Sequence, residues 1–461
     1  MLTSEAEVLG LSPDASSTKA AQGLQSPAKW PTLGCDESAV WGECQGSGSK
    51  PYQTQVDLSG PSFKCSCPSR KFPCKHGLAL LLLRSAGKVA QAEARPQWVN
   101  EWLDSRRDRA EKKEAKAAAV AAAPVDPEAA AKRQNKRWSR VDEGLAELSL
   151  WMQDMLRQGL ATLQLNDAAT HAAWRNMAAR LVDAQAPGMA ARVTQLHEAA
   201  SVREDWTALL LAHLGQWQLL IDAARRREQL PSQMLADVMA AIGWSQDKAE
   251  LLAASPAVAD TWRVLGACQI EGQGRLVERR VWLWGEQTRR MALLQDYAHG
   301  GRGDERAWVV GRCYAGGLHF YPGAAPLRAM AADDCTLADP SGNASASLVE
   351  HSAAAQSWND MAQRVAGNPL QTLQPLMLRD ARLQRAEGHG WQALVMHGDA
   401  PRVLRLDLPD EQAWTLLATS GGHPLLLMGE WWDERWRVLS AWHVRAQDEA
   451  SLAWALSGEV Q

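Results

Sequence analysis

Phenylalanine and tyrosine are nearly missing from this 461-residue chain, with three and four copies against 22 tryptophans. Tryptophan must therefore take the large-aromatic positions of whatever core the chain builds. An excess of either charge is also missing: 49 Lys and Arg against 53 Asp and Glu leave a net charge of -4. That excludes a globally basic nucleic-acid binder, so any charged partner has to be argued from local patches. No apolar run approaches the roughly 18 residues of a membrane helix, and the N-terminal "MLTSEAEVLGLSPD" has no basic start followed by an apolar block. The expectation is a cytoplasmic protein with no membrane partner. A disulfide framework is not legible either, because Cys35, Cys44, Cys268, Cys313 and Cys335 fall at irregular spacings and in odd number; reduced thiols are expected.

What remains is the composition of a folded protein, 46% hydrophobic and 22% charged, at a length that calls for several domains. Residues 1–40 read as an irregular or partly helical lead-in, and 41–90 as a small unit with a turn, a strand alternating at Tyr52, Thr54, Val56 and Leu58, and a short buried helix at Leu78 to Leu83 stopped by Gly87. Residues 91–140 are charged and Ala-rich, broken by Pro124 and Pro127, and read as a linker. Over 141–255 apolar residues recur at three and four, as in Leu145, Leu148, Met152 and later Leu210, Leu214, Trp217 and Ile221, which predicts a helical domain. Residues 256–461 carry short β-type runs such as "RRVWLWGE", "AWVVGRCY", "GGLHFYP" and "GWQALVMHG", with a helical insert near 355–373, and predict an α+β or barrel-like region. No internal repeat of 20 to 50 residues is visible. The whole is a multidomain α+β protein with a ββα-like unit, a helical middle and a β-rich C-terminal region.

The chemistry concentrates in "FKCSCPSRKFPCKHGLALLLL". Cys65 and Cys67 are one residue apart, Cys74 and His76 likewise, and in extended chain residues i and i+2 point to the same side. A regular helix would turn them about 200° apart, so Cys74 and His76 belong on a loop or at a helix entrance. Three thiolates and an imidazole are the donor set of a closed, tetrahedral structural Zn²⁺ site, with no open position for water or substrate. A redox dithiol would leave the Cys74–His76 pair unexplained, and buried cysteines beside an incidental histidine would leave the matched spacing unexplained. The unit's expected core is only Val56, Phe63, Phe72 and Leu78 to Leu83, so a metal staple would supply stability that burial cannot.

The pattern C-x-C, six residues, C-x-H, with "CPS" and "CKHGLALLLL" around it, resembles the SWIM zinc finger over about residues 52–87. The resemblance implies Cys65, Cys67, Cys74 and His76 as zinc ligands. It also implies a role in DNA binding or protein interaction, in bacterial members beside separate ATPases. No family is identified for residues 90–461.

Between residues 58 and 92 the chain carries Lys64, Arg70, Lys71, Lys75, Arg84 and Lys88 and no acidic residue, and "KRQNKRWSR" at 132–140 adds a second basic stretch. Lys64, Arg70, Lys71 and Lys75 are the candidate phosphate contacts. No phosphate loop is formed by "GECQGSGSKPY", where Ser49 precedes Lys50 and Pro51 follows it, and "EGQGRLVE" lacks a third glycine. The expected function is a non-enzymatic adaptor, with zinc as cofactor, that binds DNA or a protein partner. The alternatives are a purely protein-docking accessory subunit of an ATPase system and an enzyme with an unrecognised site in the C-terminal region.

Overall fold

The computed structural model describes residues 5–46, 50–69, 71–122, 127–271, 276–299, 306–339, 344–388, 390–445, 449–456 and 459–460. Two short helices, α1 (Glu5–Leu9) and α2 (Ala15–Gln22), lead into a meander of β1 (Thr32–Cys35), β2 (Ala39–Cys44), β3 (Tyr52–Asp57) and β4 (Ser62–Cys65), whose strands pair antiparallel in chain order. Helix α3 (Lys75–Ser85) follows. It buries every side chain from Leu78 to Leu83 because it is held between the sheet on one side and α1 and α2 on the other. Its end is a Schellman motif: Gly87 lies at φ +67°, its N–H reaches Arg84 O at 2.9 Å, and the Lys88 N–H reaches Leu83 O at 2.9 Å.

The core around α3 is larger than the sequence suggested. Val8, Leu11, Ala21 and Trp30 join it from the lead-in, and Ala307 and Val309 from the C-terminal region. The ββα unit of β3, β4 and α3 is thus the metal-bearing half of a wider N-terminal module. The run "AWVVGRCY", expected as a strand, is extended coil over 307–309. Its backbone bonds leave the sheet: the Ala307 N–H goes to Pro61 O at 2.7 Å and the Val309 N–H to the Tyr314 hydroxyl at 3.1 Å.

Most of the Ala-rich stretch is helical, in α4 (Gln97–Ala122) and the first turns of α5 (Pro127–Gln158). Ala, Glu, Lys and Arg are strong helix formers, and Pro127 sits where proline is tolerated, at the first helical position. The 140/141 division falls inside α5. The first turns of α4 seat Val99 against Ala39 and Trp41, and Arg106 pairs with Asp57 at 3.6 Å. Helix α5 packs with α6 (Ala168–Asp183), α7 (Pro187–Ala200), α8 (Trp206–Arg225) and α9 (Ser232–Ile242) around Trp138, Leu145, Leu148, Leu181, Val193, Leu210, Trp217 and Ile221. The apolar spacing at three and four is the face these helices bury. Helix α10 (Lys248–Ala254) returns to pack on α4.

The C-terminal region holds two closed rings of strands. Strands β5 (Val258–Glu271), β6 (Leu276–Gly285), β7 (Met291–His299), β8 (Cys313–Phe320) and β9 (Arg328–Ala331) pair as β5-β6-β7-β9-β8, and β8 closes back on β5; only β7 and β9 are parallel. After β10 (Thr336–Ala338), α11 (Ala344–His351) and α12 (Ala354–Gly367), the same connectivity recurs. Strands β11 (Gln374–Ala386), β12 (Gly390–His397), β13 (Ala400–Leu406), β14 (Leu425–Trp432) and β15 (Arg435–Arg445) pair as β11-β12-β13-β15-β14, with β14 closing on β11 and β13 parallel to β15. Helix α13 (Asp410–Ser420) joins the third and fourth strands of this second ring, and β16 (Glu449–Ala455) adds to β15. In each ring the long first strand shifts register part-way, at Val264/Gly266 and at Leu378/Ala381, which lets it bend and serve both sides. The recurrence escaped the sequence reading because it lies in strand pairing, not in residue identity.

A closed Cys3His metal centre

Each ligand is placed by a different local device. Cys65 ends β4, opposite Thr54, whose hydroxyl lies 3.1 Å from its Sγ. The ladder runs one residue further, with the Ser66 N–H bonded to Gln53 O at 2.9 Å, so Cys67 leaves the sheet on the same side as Cys65. The chain then turns back, and Phe72 packs edge-on against Phe63 at 5.8 Å. Cys74 is the N-cap of α3, in extended backbone at φ -74° and ψ 162°, with its Sγ accepting from the Gly77 N–H at 3.5 Å. His76 lies in the first turn, buried at 4% exposure, with its ring 5.1 Å from that of Tyr52. The turn must come close to the sheet here: a Cβ on Gly77 would meet the Phe63 ring at 2.7 Å.

The four donor atoms lie within 4.8 Å of one another, and Cys65 Sγ is 3.7 Å from His76 Nδ1. Zn–S and Zn–N bonds of about 2.3 and 2.05 Å at tetrahedral angles set a sulfur-to-nitrogen edge of about 3.6 Å. The donor set therefore fits zinc in size as well as in chemistry. The crowding couples the thiols: hydrogen bonds with Cys65 and Cys74 hold Cys67 far below the usual thiol range. Donation to Cys67 in turn pushes Cys65 up to about 11, and Cys74 is driven higher by Cys65 and Cys67. A divalent cation at the centre removes that penalty and lets all three ionise.

Residues 52–85 match the model of the SWIM zinc finger. The chain carries a SWIM zinc finger. Residues 136–242 match the SWIM-associated four-helix bundle domain, so α5 to α9, for which the sequence reading named no family, belong to the same architecture as the finger. No curated protein and no solved structure matches the chain. The SWIM finger is a zinc-binding module, not a catalytic family. Among the described residues no helix is long and apolar enough to cross a membrane, and the four finger ligands are the one cluster of metal-binding type.

The candidate phosphate contacts separate on inspection. Lys64 on β4 and Lys75 in the first turn of α3 are exposed, whereas Arg70 lies outside the described residues. Lys71 is already engaged: its ammonium bonds the Asp14 carboxylate and lies 3.2 Å from the Ser16 hydroxyl. Asp14 also caps α2 through the Ser17 N–H at 2.7 Å, so one carboxylate ties the lead-in to the ligand loop. Nothing in the sequence pointed to this tie, or to Thr54 beside Cys65, because both depend on long-range register. Burial works to raise the Asp14 pKa, but the bonds from Lys71, Ser16 and Ser17 prevail and hold it well below the carboxylate range.

Because the folded pKa lies below the unfolded one, this contribution to stability is complete above about pH 4 and is lost as pH falls through the folded value. Asp14→Asn keeps the capping acceptor and removes the charge. It is expected to cost up to about 1 kcal/mol at pH 7 and progressively less below about pH 4. Thermal melts of both proteins across pH check this.

Proposed function

We propose that the protein is a non-enzymatic adaptor in which zinc shapes an N-terminal module that contacts DNA. Four protein donors leave the metal no open position, which supports a structural and not a catalytic ion. The observation that carries the DNA reading is a set of cations without carboxylate partners. Lys64 precedes the first ligand pair and Lys75 lies between Cys74 and His76, and Lys132, Arg133, Lys136 and Arg140 stand exposed on the first half of α5; none of the six has an ion pair among the described residues. At about 100° per residue the four α5 cations fall within an arc of about 100°, turned away from the Trp138, Val141 and Leu145 face that enters the bundle. Lys132 to Arg140 spans about 12 Å of helix, over which duplex DNA presents about seven phosphate charges.

Anisotropy of a fluorescein-labelled 20-base-pair duplex with the zinc-loaded full chain tests this. Lys64→Ala/Lys75→Ala and Lys132→Ala/Lys136→Ala/Arg140→Ala are each expected to weaken binding uniformly across sequences. All five together should flatten the slope of log affinity against log salt by about 4.5. An unchanged slope in the five-fold variant would refute DNA contact by these cations.

The second reading is a docking-only accessory subunit, in keeping with an ATPase system. The observations that favour it are the loss of Lys71 to Asp14 and the two exposed leucines on α8, Leu211 at 57% and Leu219 at 58%. An enzyme reading finds less support. A cleft of about 440 Å³ beside α12 holds His351, Asp360 and Ser357, but His351 Nε2 bonds Asp360 at 2.8 Å and the Ser357 hydroxyl donates to backbone carbonyls, so no hydroxyl-to-imidazole relay is formed.

A further inference from the structure

A five-stranded ring ordered 1-2-3-5-4, closed from 4 to 1, with parallel strands 3 and 5 and a bent first strand, is the topology of the OB-fold, and both C-terminal rings have it. OB-folds take oligonucleotides and oligosaccharides on the outer face of strands 2 and 3, between the loops that join strands 1 to 2 and 4 to 5. In the first ring that face is closed. Trp282 and Trp284 of β6 and Leu293 of β7 turn outward and pack with Met377, Leu426, Met428 and Leu439 of the second ring. In the second ring the face is exposed at Arg382, Gln384, Met396, Val403 and Arg405, whereas Gln392 within it is buried and the β14–β15 turn at its edge is bonded to Arg203 and His213.

Pairing shows what that face presents, since residues directly opposite across strands share a side of the sheet. One row is Arg382, Leu394 and Val403, and Met396 extends it along β12. The next row runs Gln384, Gln392, Arg405, Arg435 and Trp432, from β11 round to the β14–β15 loop. Arg382 and Arg405 are exposed with no ion pair among the described residues, and Arg435 is half-buried with the Asp205 carboxylate in its field. Val403 and Met396 are 52% and 49% exposed, and Trp432 is half-buried with the Arg437 guanidinium 4.4 Å from its ring centre. Neither row contains a carboxylate. Unpaired arginines beside apolar side chains and a tryptophan suit a polyanion whose bases are free to stack. A neutral oligosaccharide would leave Arg382 and Arg405 without counter-charges. A duplex would keep its bases from the apolar positions.

We propose that this face of the second ring binds single-stranded nucleic acid. The proposal stands on the ring and its side chains and does not require contacts by the finger or by α5. Its test is anisotropy of fluorescein-labelled dT20 with the zinc-loaded full chain, between 50 and 300 mM salt. Arg382→Ala/Arg405→Ala/Arg435→Ala is expected to lower affinity for dT20 at least about tenfold at 0.1 M salt and to flatten the salt slope by about 2. A control chain with Arg175→Ala/Lys248→Ala, exposed cations that belong to neither surface, should keep its dT20 affinity and salt slope. Replacing the same three arginines by lysine should preserve the slope, and unchanged melting temperatures would show that the ring is intact. No binding of dT20 by the wild type, or an unchanged affinity and slope in the alanine variant, overturns the proposal whatever the duplex experiments show.

Discussion

Cys67→Ala, or treatment of the wild type with a strong chelator, is expected to take zinc from one ion per chain to none and to loosen the β4–α3 connection. Cys67 is the ligand whose loss says most about the metal, because it is half-buried and lies in a loop, so its replacement opens no large cavity. Cys74→Ala would confound the result by also removing the N-cap of α3. The expected loss is bounded by linkage: free zinc at 100 times Kd stabilises by about 2.7 kcal/mol and at 1,000 times by about 4.1. The module is not expected to unfold outright, because Val8, Trp30, Val40, Leu80 and Leu83 pack without help from the metal. Calorimetry should show a lowered first transition, and amide exchange should show lost protection at Lys64 to His76 with Leu80 to Leu83 still slow. Affinity for zinc should fall as pH falls, since the cysteine ligands must be deprotonated to bind it and protons then compete with the metal.

Glu430→Ala is the substitution expected to damage the C-terminal region most. The Glu430 side chain is fully buried between the two rings, where it accepts from Arg280 Nη1 at 3.1 Å and from the Trp282 indole N–H at 2.9 Å. Burial works against the Arg280 charge, but Glu430 and Glu278 outweigh it and raise the Arg280 pKa. Removing Glu430 leaves a desolvated guanidinium with Glu278 alone and an indole N–H without its acceptor. The cost expected for breaking one side of such a pair is about 3–5 kcal/mol. Glu430→Gln, which retains an acceptor for Trp282 but not the charge, should fall between. Calorimetric melting of the two variants against wild type reads this directly, and equal melting temperatures for all three would mean that the network does not hold the rings together.

The metal centre was legible because its four donors sit within twelve residues and need no distant partner. The bundle was legible for a similar reason: a 3.6-residue apolar period survives in any surrounding. Legibility stopped where structure depends on pairing between remote segments. Val8 and Leu11 carry no mark that assigns them to the core of α3, and Lys71 finds its counter-charge 57 residues away at Asp14. Ring closure rests on β5 meeting β8 and β11 meeting β14, whose apolar alternation looks like that of any half-buried strand. The charged, Ala-rich residues between 97 and 122 are helical, so it is their helix propensity that the structure expresses. Trp436 and Trp442, which lie near Trp431 and Trp432 in a stretch that could have been a binding platform, are core residues with at most 1% exposure.

X-ray absorption at the zinc K edge on the purified full chain tests the central claim most directly. One zinc per chain with three sulfur neighbours at about 2.3 Å and one nitrogen at about 2.0–2.1 Å is the predicted shell. A shell of oxygen and nitrogen donors, or protein that purifies without zinc and does not take it up, would contradict the assignment of Cys65, Cys67, Cys74 and His76 as a structural metal site.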